Sequence, residues 1–223
     1  MAGLELIDVQ KRYQGRTVLS DASMEVPAGT CVGIVGANGT GKSTLLGILA
    51  GMTRPDGGRA LWNGADLLSD AALRRQTVGY VPQGSCLFED LSARDNLLLW
   101  YPKEQLAWEL EQGILGALGV GDFLTKRVSA LSGGMKKRLS IGCAVARHPP
   151  LLLLDEPSTA LDLRCKAELL AQLQSMRAGG VTLLLSTHDL QEIEACDRLY
   201  LLKDGTLRPC EPGGAAERLA ELL

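Results

Sequence analysis

The run Gly36-Ala37-Asn38-Gly39-Thr40-Gly41-Lys42-Ser43 constrains this chain more than anything else in it. It fits G-x-x-x-x-G-K-[ST] and stands between a short apolar run, Cys31–Val35, and an apolar helical pattern, Ser43–Leu49. Glycines at these places let the backbone curl so that successive N–H groups converge on a phosphate. The helix that follows points its positive end at the same anion. In this arrangement Lys42 reaches β- and γ-phosphates and the Ser43 hydroxyl can ligand Mg²⁺. The loop alone says only "nucleotide phosphate", because kinases and GTPases share it.

The rest of the chain reads as α/β. Short apolar runs alternate with helical patterns, which argues for a largely parallel central sheet. Strands are expected at Leu4–Val9, Thr17–Val26, Cys31–Val35, Arg59–Trp62, Val78–Val81, Leu151–Leu154, Val181–Leu185 and Arg198–Leu202. The runs at 31–35, 151–154 and 181–185 are apolar throughout and suit strands buried on both faces. The segments before Pro27 and around Gly57-Gly58 look like antiparallel edges, and Asp204-Gly205 like a hairpin turn. Residues 85–148 differ in kind: no good strand and three helical patterns, from Ser92, from Lys103 to Leu118, and from Ser132 to Arg147. The third has an apolar face of Met135, Leu139, Gly142, Cys143 and Ala146, with Lys136, Lys137 and Arg138 on a solvated side and His148 as a helix-end cation. We expect one domain over 1–223, with a core of about 1–84 and 149–223 and a helical subdomain of about 85–148. A short amphipathic helix should follow Gly213-Gly214.

Composition narrows the class. The chain has 223 residues, 46% hydrophobic and 22% charged, with a formal net charge of −3. Such a balance excludes a disordered tail, a collagen-like repeat and a disulfide-stapled miniprotein. Mild acidity is a poor basis for gripping nucleic acid, so no nucleic-acid partner is expected. With only 4% aromatic residues, the core must rest on Leu, Val, Ile and Ala. No apolar stretch is long enough to span a bilayer, and the N-terminus lacks the apolar region of a secretory signal. The six cysteines form no CxxC pair and read as buried thiols of a reducing compartment.

Two further motifs carry chemistry. Leu151-Leu152-Leu153-Leu154-Asp155-Glu156 sets two carboxylates at the end of a buried strand, the edge where open α/β sheets bind ligands. Asp155 is placed to hold Mg²⁺ with Ser43, and Glu156 to act as a general base on water. Leu131-Ser132-Gly133-Gly134-Met135 opens the third helix of the 85–148 segment. A Ser-Gly-Gly helix start is a second anion site, which one nucleotide at Lys42 does not obviously need.

With these motifs in order, the chain resembles the nucleotide-binding subunits of ATP-binding-cassette (ABC) transporters over about residues 4 to 205. The resemblance implies a P-loop NTPase (RecA-like) α/β core with a mixed sheet, an antiparallel β edge and an inserted α-helical subdomain. It implies that Tyr13 stacks on adenine and that Gly36, Ala37, Asn38, Gly39, Thr40, Gly41, Lys42, Ser43 and Thr44 form the Walker A loop. Gln83 is then the Q-loop glutamine, sensing Mg²⁺ and water. Ser132, Gly133 and Gly134 are the signature motif, Asp155 and Glu156 end Walker B, Ala160, Leu161 and Asp162 lie in the D-loop, and His188 is the switch histidine. It further implies a head-to-tail dimer, in which the signature of one subunit covers the ATP and Mg²⁺ of the other.

A chain without a membrane span needs separate integral membrane subunits to transport anything. The expected place is therefore cytoplasmic, peripheral on the cytoplasmic face of the membrane. The groove near Gln83 to Glu89, with Leu87 and Phe88, is where the family implies that a membrane partner docks. Met135 followed by Lys-Lys-Arg-Leu resembles the ABC-2-type bacterial exporter ATPases. The ending at Leu223 fits a cassette without a long C-terminal regulatory domain. Alternatives are an importer subunit, a lipoprotein or cell-division complex, and a non-transport ABC ATPase.

Overall fold

The computed structural model describes residues 3–159 and 161–210. Ala160 of the expected D-loop and the helix expected after Gly213-Gly214 lie outside the described residues.

Two sheets organise the chain. The first is antiparallel, in the order β2-β1-β4-β5: β1 (Gly3–Tyr13), β2 (Arg16–Pro27), β4 (Gly57–Trp62) and β5 (Ala65–Asp66). The β1–β2 hairpin turns through Gln14 and Gly15, both at positive φ, the twist that suits a two-residue turn. The second sheet runs β10-β9-β3-β8-β7-β6, from β3 (Cys31–Val35), β6 (Val78–Val81), β7 (Leu151–Asp155), β8 (Thr182–Ser186), β9 (Arg198–Lys203) and β10 (Thr206–Cys210). Its pairings are parallel except for β10, which closes an antiparallel hairpin on β9 across Asp204-Gly205.

Every residue of β3, β7 and β8 is buried, and the period of two divides them between two cores. Val32, Ile34, Leu151, Leu153 and Leu184 face α1 (Lys42–Leu49), packing with Leu45, Leu46, Ile48 and Leu49. Cys31, Val35, Leu152, Leu154, Leu183 and Leu185 face the other way. There they meet Leu139 of α6 (Gly133–Ala144) and Leu169 and Leu173 of α7 (Leu163–Ala178). Each buried leucine contributes about 1.5–3 kcal/mol, so few aromatics suffice. The second core continues without a break into residues 85–148 through Leu97, Tyr101, Leu115, Phe123 and Val128.

The 85–148 segment holds no strand. It holds α3 (Ala93–Leu98), α4 (Lys103–Glu111), α5 (Ile114–Ala117), two 3-10 turns and α6. Ser92 caps α3 by accepting the Asp95 N–H at 3.1 Å, as its spacing suggests. The single helix expected from Lys103 to Leu118 is instead broken at Gly113. The Glu109 carboxylate turns back and accepts the Ile114 N–H at 3.0 Å, starting α5 anew. The helix expected to reach Arg147 stops at Ala144, because His148 precedes Pro149 and takes φ +48°. His148 is also more than a helix-end cation: its Nε2 lies 3.1 Å from Oε1 of the buried Glu109.

The solvated charge run is overturned as well. Lys136 pairs with Glu89 at 2.7 Å, Lys137 donates to the Pro82 carbonyl at 3.4 Å, and the Arg138 guanidinium lies 5.5 Å from the Phe123 ring centre. All three are half-buried, so α6 is covered on the face read as wet. Of its expected apolar face, Leu139, Gly142 and Ala146 are buried, while Met135 and Cys143 are half-buried. Of the cysteines, Cys31 and Cys196 are buried, Cys143 and Cys165 half-buried and Cys86 exposed, against the expectation of burial throughout. Strand β5, α2 (Ala71–Thr77), α7 and α8 (Leu190–Glu194) were not anticipated, and β10 only through the hairpin turn expected at Asp204-Gly205.

Candidate functional site

Strands β3, β8, β7 and β6 are parallel neighbours, so the segments that leave their C-terminal ends share one edge of the sheet. Those segments are the glycine loop, the His188 loop, the Asp155-Glu156 pair and Gln83.

The loop leaves β3 at Gly36, whose φ is +155°. A Cβ there would stand 2.5 Å from the Leu202 carbonyl oxygen, so only glycine fits. Thr40 folds back, donating to the Ala37 carbonyl at 2.9 Å, and leaves Asn38 and Gly39 exposed at the crest with Ala37 half-buried. Gly41 precedes α1, with Ser43 exposed and Thr44 half-buried in its first turn. Lys42 is 6% exposed, and its ammonium donates to the carbonyls of Gly36 and Ala37 at 2.7 and 3.2 Å. Burial lowers the Lys42 pKa, while the nearby Glu156 and Asp155 carboxylates pull it up. The loop and the acidic pair are thus electrostatic neighbours.

The acidic pair is held from β8. Asp155, 3% exposed, accepts the Ser186 hydroxyl at 2.5 Å. Glu156 adopts φ +45°, a conformation costing on the order of 1–3 kcal/mol outside glycine. The Ser186 carbonyl and hydroxyl oxygens hold it by accepting its N–H at 3.0 and 3.1 Å. Its carboxylate is then fixed: Oε2 accepts the Gln83 amide at 2.8 Å and the Thr159 hydroxyl at 3.0 Å, and Oε1 lies 3.7 Å from His188 Nδ1. The imidazole remains largely exposed. Lys137 of α6 also faces this group; burial lowers its pKa, opposed by Asp155, Glu192 and Glu156.

The structure therefore brings Lys42, Asp155, Glu156, Gln83 and His188 together. Sequence reasoning missed Ser186, Thr159 and Lys137, although the first two flank residues it singled out. Lys137 was hidden by the apparent charge run. The donor set around the loop is hard: the Ser43 hydroxyl, the Asp155 carboxylate and the Gln83 amide oxygen. This set fits Mg²⁺, which takes one or two carboxylates and completes its shell from phosphates.

The remaining sites stand apart. Ser132 is exposed and caps α6, accepting the Met135 N–H at 3.3 Å; among the described residues no hydrogen bond joins it to the loop. Gly133 is exposed and Gly134 is buried against α7, where a Cβ would meet the Cys165 thiol at 2.7 Å. Asp162 caps α7 by accepting the Cys165 N–H at 2.8 Å, with Leu161 half-buried beside it. Tyr13 is 45% exposed at the end of β1, and the Lys11 ammonium lies 5.2 Å from its ring centre. Phe88 is 59% exposed, while Leu87 packs against the core.

A family model described as ABC transporter matches residues 19–159. The chain belongs to the ABC transporter family. Members of this family hydrolyse ATP. The chain is 36% identical over 228 residues to Nod factor export ATP-binding protein I of Rhizobium etli, covering 100% of this chain and 72% of that protein. To the protein of the same name from Rhizobium meliloti strain 1021 it is 39% identical over 207 residues, 91% of this chain and 62% of that one. Among solved structures it resembles a dimeric ATP-binding cassette in a post-hydrolysis state bound to ADP and Pi. That match has a TM-score of 0.84 and 27% identity, covering 95% of this chain and 99% of that one. A nucleotide-free ATP-binding cassette of an ABC transporter shares the fold, with a TM-score of 0.85 at 22% identity over 99% of this chain and 96% of that one. The expected fold class, an α/β P-loop NTPase with mixed sheets, is that of these neighbours.

Proposed function

We propose that this ABC cassette binds and hydrolyses ATP as a dimer and powers export through separate integral membrane subunits. The fixed Glu156 carboxylate carries this reading. A general base must lie within hydrogen-bond reach of the water it activates and keep its orientation. Glu156 meets the second demand through Gln83, Thr159 and the Ser186 anchor. His188 beside it orients the water and senses the γ-phosphate. Lys42 and the loop amides from Gly36 to Thr44 stabilise charge on the transferring phosphoryl group, and Tyr13 stacks on adenine. Ser43, Asp155 and Gln83 would hold Mg²⁺, which when bound neutralises phosphate charge.

The dimeric neighbour supports two further assignments. Ser132, Gly133 and Gly134 contact the γ-phosphate held by a second cassette, and Ala160, Leu161 and Asp162 line the contact between the two. Export is supported by the relatives named for Nod factor export and by the Met135-Lys136-Lys137-Arg138 sequence. Among the described residues no helix is long and apolar enough to cross a membrane. Membrane subunits therefore supply the passage, and the cassette sits on the cytoplasmic face, with Phe88 at the docking groove. We read the chain as one domain, with residues 85–148 as a helical subdomain.

Glu156→Gln keeps the shape of the side chain and an acceptor for Thr159 but removes the base. It should bind ATP with unchanged affinity and hydrolyse it about 10²–10⁴-fold more slowly. An ATP-dependent dimer should then accumulate in sedimentation. Wild-type turnover by this variant would show that Glu156 is not the base.

A further inference from the structure

Glu192 has no part in the mechanism above, yet it is 4% exposed and ionisable. Burying a carboxylate costs several kcal/mol, and an apolar side chain of similar volume is often more stabilising. What surrounds this one is therefore informative. One oxygen, Oε2, accepts a short hydrogen bond from the Thr187 hydroxyl. The other oxygen, Oε1, is buried and makes no hydrogen bond among the described residues. Burial pushes the Glu192 carboxyl above its usual value, against the pull of the Thr187 and Ser158 hydroxyls. From α6, Lys137 faces it.

Each of these neighbours adjoins a reacting group. Thr187 directly precedes His188, and its N–H donates to the Ile34 carbonyl of β3 at 3.1 Å, just before the phosphate loop. The Thr187 Oγ also accepts the Asp189 N–H at 2.9 Å, and Asp189 accepts Lys166 of α7 at 2.6 Å. Ser158 lies two residues beyond Glu156, and its carbonyl accepts the Leu161 N–H at 3.1 Å. One buried carboxyl thus holds the loop that carries His188 through the Thr187 hydroxyl.

We propose that Glu192 is a positioning residue for ATP hydrolysis: by holding the Thr187 hydroxyl, it fixes the His188 imidazole relative to the Glu156 carboxylate. The inference rests on the reading of Glu156 and His188 given above. It concerns geometry at the reacting groups, not the phosphate loop, so its loss should fall on turnover and spare ATP affinity.

The test is steady-state ATP hydrolysis by the purified chain as wild type, Glu192→Leu, Glu192→Gln, Thr187→Val and the Glu192→Leu/Thr187→Val pair. Glu192→Leu and Thr187→Val should each lower kcat about tenfold and leave KM for ATP within about twofold of wild type. Glu192→Gln keeps an oxygen for the Thr187 hydroxyl and should recover most of the rate. The double variant should be no slower than the slower single one, because both changes cut one link. Undiminished kcat in Thr187→Val would overturn the proposal even if Glu192→Leu fails to fold. So would additive losses, or a rise in KM that matches the fall in kcat. A wild-type chain that turns over no ATP would overturn the reading of Glu156 as well; an active wild type with fully active variants would overturn this inference alone.

Discussion

Ser186 shows how much can rest on one hydroxyl. It donates to Asp155 at 2.5 Å, and its two oxygens accept the N–H of Glu156, holding that residue at φ +45°. The side chain is wholly buried, so no water replaces a lost bond. Ser186→Ala leaves Asp155, itself 3% exposed, without this donor. Removing a hydrogen bond to a buried charged group costs about 1.5–3 kcal/mol. The expected outcome is a fall of that size in unfolding free energy, read as a lower urea midpoint with an unchanged slope. Turnover should fall too, because Glu156 loses part of its anchor; equal midpoints for the two proteins would contradict this account. The sequence marks Asp155 and Glu156 by their place after four leucines, but not Ser186. A hydroxyl that matters through a neighbouring strand leaves no trace in the spacing of its own strand.

At the scale of elements, the buried strands were legible and the helices less so. β3, β7 and β8 lie within one residue of where their apolar runs put them, because a strand buried on both faces has one composition. α7 escaped notice because its buried residues, Leu169, Leu173 and Met176, are sparse along a polar helix. The break between α4 and α5 escaped notice because it depends on a side chain turning back on its own backbone. Glu109 reaches the Ile114 N–H only because residue 113 has no Cβ. One added there would lie 2.2 Å from Glu109 Oε2 and 2.8 Å from Glu109 Cα. The first atom can swing aside, but the second is backbone. Gly113→Ala should therefore destabilise the chain by about 1–3 kcal/mol, the usual cost of overpacking. Hydrogen exchange should show the loss in α4 and α5 before it reaches β3 and β7. Unchanged protection of the Ile114 amide would contradict the proposed clash.

For the whole molecule, the motifs were readable because each is a short run fixed by phosphate or carboxylate chemistry. Their assembly was not, because it depends on the order β3-β8-β7-β6, which no single run encodes. The same division separates ATP binding from dimer closure. The phosphate loop belongs to one sheet edge, whereas the Ser132–Gly134 turn rides on α6 and rests on α7 through Gly134 and Cys165. Gly134→Ala puts a Cβ 2.7 Å from the Cys165 Sγ and 3.3 Å from its Cβ. The start of α6 must then lift from α7 by a few tenths of an ångström or more. Such a shift leaves the loop at Lys42 untouched and misplaces the surface read as covering a second cassette's ATP. In a Glu156→Gln background, which traps the ATP-bound state, Gly134→Ala should retain ATP affinity but lose the ATP-dependent dimer in sedimentation. Cys165→Ala added to it removes the sulfur that forces the shift, so the dimer should return in part. A Gly134→Ala variant that dimerises normally would mean that the α6–α7 contact does not set the position of the signature turn. A failed rescue would trace the loss to the helix start itself rather than to the packing beneath it.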